Sequence, residues 1–287
     1  MKILFLILFF SFCYSQTPIV CYGTTKNYSV DTFEVGFATP NGTVGSTYTW
    51  QILEANQAVI NDNGTNAISI NWGSSPVGTY TIQVDETNTF CSGPSVFLKV
   101  QIKDNPTVSV SSINNVCSGL NTFITATANP ANTTNSFIWT PPIAYTGTTN
   151  LDTINIFNAN FSLSGDYVVK VVDSDGCESI SATAKLAVQT NPDASVKYLS
   201  PLAFCAGESV ILEMVEGFVS GYAYQWIKDT VDIASASTSF NYTARESGNY
   251  TVRVSDTRFP TNCTTTSSSP ITVIKKSLPE TSTITAY

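Results

Sequence analysis

Residues 248–255 read Gly-Asn-Tyr-Thr-Val-Arg-Val-Ser: Tyr250, Val252 and Val254 fall on one side of an extended chain, and Thr251, Arg253 and Ser255 on the other. A period of two predicts a strand with one face buried and one in water. The pattern recurs. GTYTIQVDETNTFCS (78–92), GDYVVKVVDSDGCES (165–179) and GNYTVRVSDTRFPTNCT (248–264) each open with Gly-x-Tyr, alternate, pass through a polar turn and reach a cysteine. Upstream of each stands a second cysteine, in VCYG (20–23), VCSG (116–119) and FCAG (204–207). Between the two comes one tryptophan, closing TYTW (47–50), SFIW (136–139) and AYQW (223–226). The order Cys, Trp, Gly-x-Tyr, Cys is therefore met three times: Cys21/Trp50/Tyr80/Cys91, Cys117/Trp139/Tyr167/Cys177 and Cys205/Trp226/Tyr250/Cys263. Such self-similarity at a fixed period marks a repeat architecture.

Each repeat predicts a β-sandwich. The mid-strand tryptophan fills the space between two sheets, and the tyrosine opening a later strand sits where immunoglobulin-like domains place their corner tyrosine. The runs SVFLKVQI (95–102), ATAKLAVQT (182–190) and SPITVIKK (269–276) close the repeats as final strands, and no segment carries a convincing helical period. The predicted fold is all-β, three tandem immunoglobulin-like sandwiches spanning 16–104, 105–191 and 192–276, with linkers near Asn105-Pro106 and Asn191-Pro192 and a tail at 277–287. The remaining segment, MKILFLILFFSFCYS (1–15), reads as a signal peptide. Lys2 supplies the basic start, Ile3 to Phe12 the apolar run, and Cys13 and Ser15 the small residues before cleavage at Gln16. An apolar run of that length is too short to span a bilayer, so the expectation is export without direct membrane insertion.

Composition narrows the chemistry. The chain has no histidine, which removes Ser-His-Asp and Cys-His sites, histidine-ligated zinc and the commonest general base. Losing Lys2 with the leader takes the net charge from −8 to −9, and an acidic chain without basic clusters is a poor binder of nucleic acid. Charged residues make up only 12%, with Thr, Ser and Asn in their place, as suits extracellular β structure. No catalytic, cofactor-binding or metal residue is expected. The sharpest alternative lies in Asp173-x-Asp175-Gly176-x-Glu178, three carboxylates around a glycine, which resembles a calcium loop. Asp-Gly is also a strong hairpin signal, and the sister loops DETNTFC and SDTRFPTNC lack the acidic pattern, so a turn is the preferred reading. Trp50, Trp139 and Trp226 are read as core rather than sugar-stacking platforms, as is Trp72. Phe218, Tyr222 and Tyr224 are read as packing.

Six cysteines remain in the exported chain, Cys21, Cys91, Cys117, Cys177, Cys205 and Cys263, and an even number predicts disulfides. Counting favours one bond per repeat: Cys21–Cys91, Cys117–Cys177 and Cys205–Cys263. Topology objects, because the turn after the first strand and the turn before the last strand lie at opposite ends of a sandwich. The other solution links successive repeats, Cys21–Cys177 and Cys117–Cys263, and leaves Cys91 and Cys205 free. The simpler count makes the within-repeat set the leading expectation.

FCAGESVILEM…YAYQWIKD…SGNYTVRVSD…C resembles one immunoglobulin-like unit of secreted Bacteroidetes proteins, and VCYGTTKNYSV…STYTWQI…AISINWGSSPVGTYTIQV resembles their PKD-like unit, with Asn71-Trp72-Gly73 at its strand end. Such repeats recur in gliding-motility adhesins, their accessory proteins and other exported surface proteins. The resemblance implies a non-catalytic role in adhesion or scaffolding, with a cell-envelope or surface protein, or a glycan, as partner. A carbohydrate-binding module is the alternative. Asp152-Thr153-Ile154 and Asp229-Thr230-Val231 resemble the O-glycosylation pattern of that group, which makes Thr153 and Thr230 candidate modification sites.

Overall fold

The computed structural model describes residues 17–284 except 31, 35–36, 40–44, 56–57, 114, 132–133 and 235–238. The leader expected at 1–15 lies outside them. The described chain is all-β, with one 3-10 turn at Phe161–Leu163. It divides into two compact units. One holds the chain up to Val108 with Ala128–Ser136 and Lys170–Ser181; the other holds Ser109–Thr127, Phe137–Val169 and Ala182–Tyr287.

In the first repeat, one sheet runs in the order Ile19–Cys21, Val96–Lys103, Gly78–Thr87, Thr47–Ile52, and the other in the order Thr25–Ser29, Ala67–Asn71, Val59–Asn61. The short opening strand lies parallel to the closing one, with Cys21 opposite Lys103. Alternation decides which side chains go inside. Trp50, Tyr80, Ile82 and Val100 from the first sheet meet Ile68 and Ile70 from the second in one apolar core. Trp72 is fully buried there, its indole N–H donating to the Tyr28 hydroxyl at 3.1 Å.

The third repeat repeats this plan. Ala203–Cys205, Ile271–Lys276, Gly248–Asp256, Tyr222–Lys228 and Val231–Asp232 form one sheet, and Val196–Tyr198, Val210–Met214 and Asn241–Ala244 the other. Trp226 is buried between them and stacks on Tyr242, which in turn leans on Tyr250. In the second repeat the sheets are Thr107–Val110 with Thr122–Asn129 and Thr153–Ile156, and Ser136–Thr140 with Gly165–Val172 and Ala182–Leu186. A separate parallel pair joins Val116–Cys117 to Val188–Gln189. The stretch ATAKLAVQT is thus two strands rather than one. It breaks at Ala187, pairing Ala182–Leu186 antiparallel to Gly165–Val172 and Val188–Gln189 parallel to Val116–Cys117.

The repeated residues hold equivalent places. Trp50, Trp139 and Trp226 are buried, and each indole N–H donates to a backbone carbonyl, of Thr65, Leu151 and Ser239 respectively. Tyr80, Tyr167 and Tyr250 each donate their hydroxyl to the carbonyl four residues upstream, Pro76, Leu163 and Glu246, at 2.8–2.9 Å. That is the corner tyrosine of immunoglobulin-like sandwiches, and it satisfies a phenol that burial would otherwise strand. The tryptophan rings face the cores, so they offer no platform for stacking on sugar.

Candidate functional site

A cluster of charged side chains lies around the hairpin 173–178. Asp173 organises it. Its Oδ1 accepts the backbone N–H groups of Asp175 and Cys177, each at 2.9 Å, and its backbone N–H donates to the Cys177 carbonyl at 3.0 Å. The Gly176 N–H closes back on the Asp173 carbonyl, and Gly176 itself takes φ +84, the left-handed conformation that glycine adopts without strain. The Asp-Gly dipeptide therefore makes a turn. Its carboxylates face a cation supplied by the chain: Lys103 Nζ donates to Asp173 Oδ2 at 2.9 Å and also to Asp175. Glu178 points elsewhere, toward Lys170 at 3.7 Å. Among the described residues no group of three or more His, Cys, Asp or Glu side chains is placed to hold a metal ion.

The electrostatics follow from this geometry. Burial pushes the Asp173 carboxyl upward, but hydrogen bonds from Lys103, Cys177 and Asp175 outweigh it and hold the group below the usual carboxylate range. Lys103 is raised, first by its bond to Asp175 and then by Asp173. Other carboxylates are also held down: Glu54 by the Thr81 amide, Asp85 by the Ser95 hydroxyl, Asp229 by the Asn249 amide, Glu246 by Lys275 and Asp256 by Arg258.

Beside the ion pair lies a covalent link. Lys103 is the sheet partner of Cys21, and Cys21 is bonded to Cys177 with 5.3 Å between Cα atoms. A second disulfide joins Cys117 to Cys263, Cα atoms 5.5 Å apart. Gln189, the sheet partner of Cys117, brings Oε1 to 3.4 Å from the Cys263 sulfur, and Thr261 donates its hydroxyl to the Asn115 carbonyl at 2.7 Å. Both bonds run from the opening strand of one repeat to the last hairpin of the next.

This corrects the leading expectation of one bond per repeat. Cys21 sits opposite Lys103 at one end of the strand Val96–Lys103, whereas Cys91 precedes the other end. Eight residues of strand span about 26 Å, far beyond the roughly 7 Å that a disulfide tolerates between Cα atoms. The same separation holds in the third repeat. Cys205 lies opposite Lys276, at the end of the sheet where Gly248 pairs with Val273, while Cys263 lies opposite Asp256 at the other end of that strand. Of the six candidate cysteines four are bonded, and Cys91 and Cys205 are exposed free thiols.

The remaining sequence candidates scatter. Thr153 is in a strand rather than a loop, half-buried, its hydroxyl sharing a hydrogen bond with that of Thr125 at 3.2 Å. Thr230 stands at an exposed turn with φ +73. The aromatic group splits: Tyr224 is buried, Tyr222 lies under the Arg258 guanidinium, and Phe218 is exposed, its ring edge near Phe240. Lys103 is the member of this cluster that no local sequence pattern announces. The acidic hairpin needs a cation, and the lysine that ends the closing strand opposite Cys21 supplies it.

No family model matches the chain, and no curated protein matches it. Among solved structures, it is similar to extracellular domains 3–5 of Drosophila OTK, at 14% identity over 91% of this chain and 96% of that one, with a TM-score of 0.38. It is also similar to the I-band fragment I67–I69 of titin, at 14% identity over 91% and 95%, TM-score 0.45. A third similarity is to the three N-terminal domains of the outer capsid protein Hoc of bacteriophage RB49, at 16% identity over 90% and 96%, TM-score 0.44.

Proposed function

We propose that the chain is an exported, non-catalytic protein of tandem immunoglobulin-like domains, bounded at 16–104, 105–191 and 192–276, that serves adhesion at the cell surface as an accessory or scaffold component of a gliding-adhesin machinery. The observation that carries this reading is the pair of disulfides linking successive repeats. Disulfides persist in oxidising compartments outside the cytoplasm, and a covalent tie between successive repeats limits the relative motion that tandem domains otherwise show. Catalysis finds little support in the residues. Histidine is absent, and paired-carboxylate chemistry needs one acid with a raised pKa, whereas the perturbed carboxylates here are lowered and engaged with partners. The buried tryptophans favour a protein over a glycan as the partner.

The test is protease shaving of intact cells followed by detection with an antibody against this chain. Loss of the signal while a cytoplasmic marker survives is the expected result. A signal that resists shaving until the cells are lysed would reject the surface role.

A further inference from the structure

The two disulfides are built from two kinds of half-site, and each free thiol occupies one of them. The strand half-site is the end of the opening strand. Cys21, Cys117 and Cys205 each sit in register with the closing strand of their repeat, opposite Lys103, Gln189 and Lys276. In each, the following residue donates its N–H to the carbonyl of that partner, at 2.8, 2.7 and 2.9 Å for Tyr22, Ser118 and Ala206. In each, the carbonyl of the cysteine accepts the N–H three residues on, across a turn holding a glycine at positive φ, Gly23, Gly119 or Gly207. Cys21 and Cys117 are bonded in this setting, and Cys205 stands in the same setting exposed.

The hairpin half-site also recurs. Cys177 directly precedes Glu178, which bridges back to Val172, and Cys91 directly precedes Ser92, which bridges back to Thr87. Asn88 does for Cys91 what Asp173 does for Cys177. Its side-chain oxygen accepts the N–H groups of Phe90 and Cys91 at 2.9 and 2.8 Å, and its own N–H donates to the Cys91 carbonyl. Phe90 beside the thiol is 93% exposed, an apolar ring without cover.

We propose that Cys205 of one copy of this chain and Cys91 of a second copy are the two halves of a third staple, formed head to tail between molecules by the geometry that the chain already uses twice internally. A lone exposed thiol would carry no such assignment. Here the bonded sister positions show what each half-site receives: a strand half takes a hairpin half, and this chain leaves one of each open. Charge agrees. Lys276 occupies the position of Lys103, is exposed, and has no ion-pair partner among the described residues. The hairpin around Cys91 holds Asp85 and Glu86 and no lysine or arginine between residues 84 and 95. A heterologous contact of this kind repeats from copy to copy, as an open chain or as a closed ring.

The bond forms by thiol–disulfide exchange with a low-molecular-weight disulfide as the oxidant. The Cys205 thiolate attacks that disulfide and expels one thiolate. The Cys91 thiolate of the second copy then attacks the Cys205 sulfur of the mixed disulfide and expels the other. Two protein protons pass to solvent or to the released thiolates, and the oxidant takes up the two electrons.

The proposal is tested by incubating the purified full chain, its internal disulfides intact, with oxidised and reduced glutathione. Non-reducing electrophoresis and mass spectrometry of peptides then follow on a mixture of isotope-labelled and unlabelled protein. The expected result is a ladder of dimers and larger species whose crosslinks are Cys91–Cys205 peptides of mixed label. Cys91→Ser and Cys205→Ser each stay monomeric alone, and mixed together they give dimer and nothing larger. Lys276→Glu slows the ladder without touching either thiol. Random collision of two exposed thiols would make only half of all crosslinks heterotypic, so abundant Cys91–Cys91 or Cys205–Cys205 products would overturn the proposal. So would an intrachain Cys91–Cys205 bond, or thiols that stop at the glutathione adduct. The outcome is independent of the surface role proposed above, because it is read on purified protein.

Discussion

At the scale of single residues, the corner tyrosines show how burial and one hydrogen bond act together. Burial pushes Tyr167 up to about 12, with the nearby Tyr145 adding to it. Tyr250 also reaches about 12, again chiefly by burial, with Tyr242, Asp229 and Glu246 contributing. In the unfolded chain a tyrosine titrates near 10. The folded state therefore favours the neutral phenol, and its contribution is complete below about pH 10 and lost as the pH rises from about 10 to about 12. Ultraviolet absorbance of tyrosinate should show these two residues ionising last, in step with alkaline unfolding. The double variant Tyr167→Phe/Tyr250→Phe should remove that late step. Each single change to phenylalanine should also lower stability at neutral pH by about 1 kcal/mol, the net worth of a typical hydrogen bond, measured as a shift in the urea midpoint.

At the scale of elements, the hairpin 173–178 separates a backbone requirement from a charge requirement. Gly176 is in the left-handed region with nothing within 4 Å of an added Cβ. Gly176→Val should therefore cost about 1–2 kcal/mol by backbone strain alone, and Gly176→Asn much less, as chemical denaturation of the two variants would reveal. Asp173→Asn keeps an oxygen for the Asp175 and Cys177 amides but removes the charge facing Lys103. With Lys103 about one-third exposed, the loss should be about 0.5–1 kcal/mol at neutral pH. Because Asp173 is lowered in the folded state, its contribution is full above the ordinary carboxylate value and fades as the pH falls through the lowered one. Wild type and variant should therefore converge in strong acid. The strands and turns of this element were legible from alternation and from Asp-Gly. The Lys103 partnership was not, since it joins positions 70 residues apart and no local pattern encodes it.

At the scale of the molecule, the repeated Cys, Trp, Gly-x-Tyr, Cys order carried the fold, because each of its members answers to a local demand of a sandwich. Trp226 fills the gap between sheets and Tyr250 ties a corner, whatever the neighbouring repeat does. Cysteine pairing is different in kind. Cys21 and Cys177 are 156 residues apart, and the choice between Cys91 and Cys177 turns on which end of a strand each one occupies. Strand length excluded the within-repeat bond in principle, but the simple count of two cysteines per repeat pointed the other way.

The energetic consequence is large. Bonds closing loops of this length contribute about 5 kcal/mol each in the chain-entropy model, so Cys117→Ser/Cys263→Ser should lower the urea midpoint far more than Cys205→Ser. Peptide mapping of the non-reduced monomer decides how the repeats are joined. Cys21–Cys177 and Cys117–Cys263 peptides are expected, with Cys91 and Cys205 open to alkylation; Cys21–Cys91, Cys117–Cys177 or Cys205–Cys263 peptides would overturn the inter-repeat pairing.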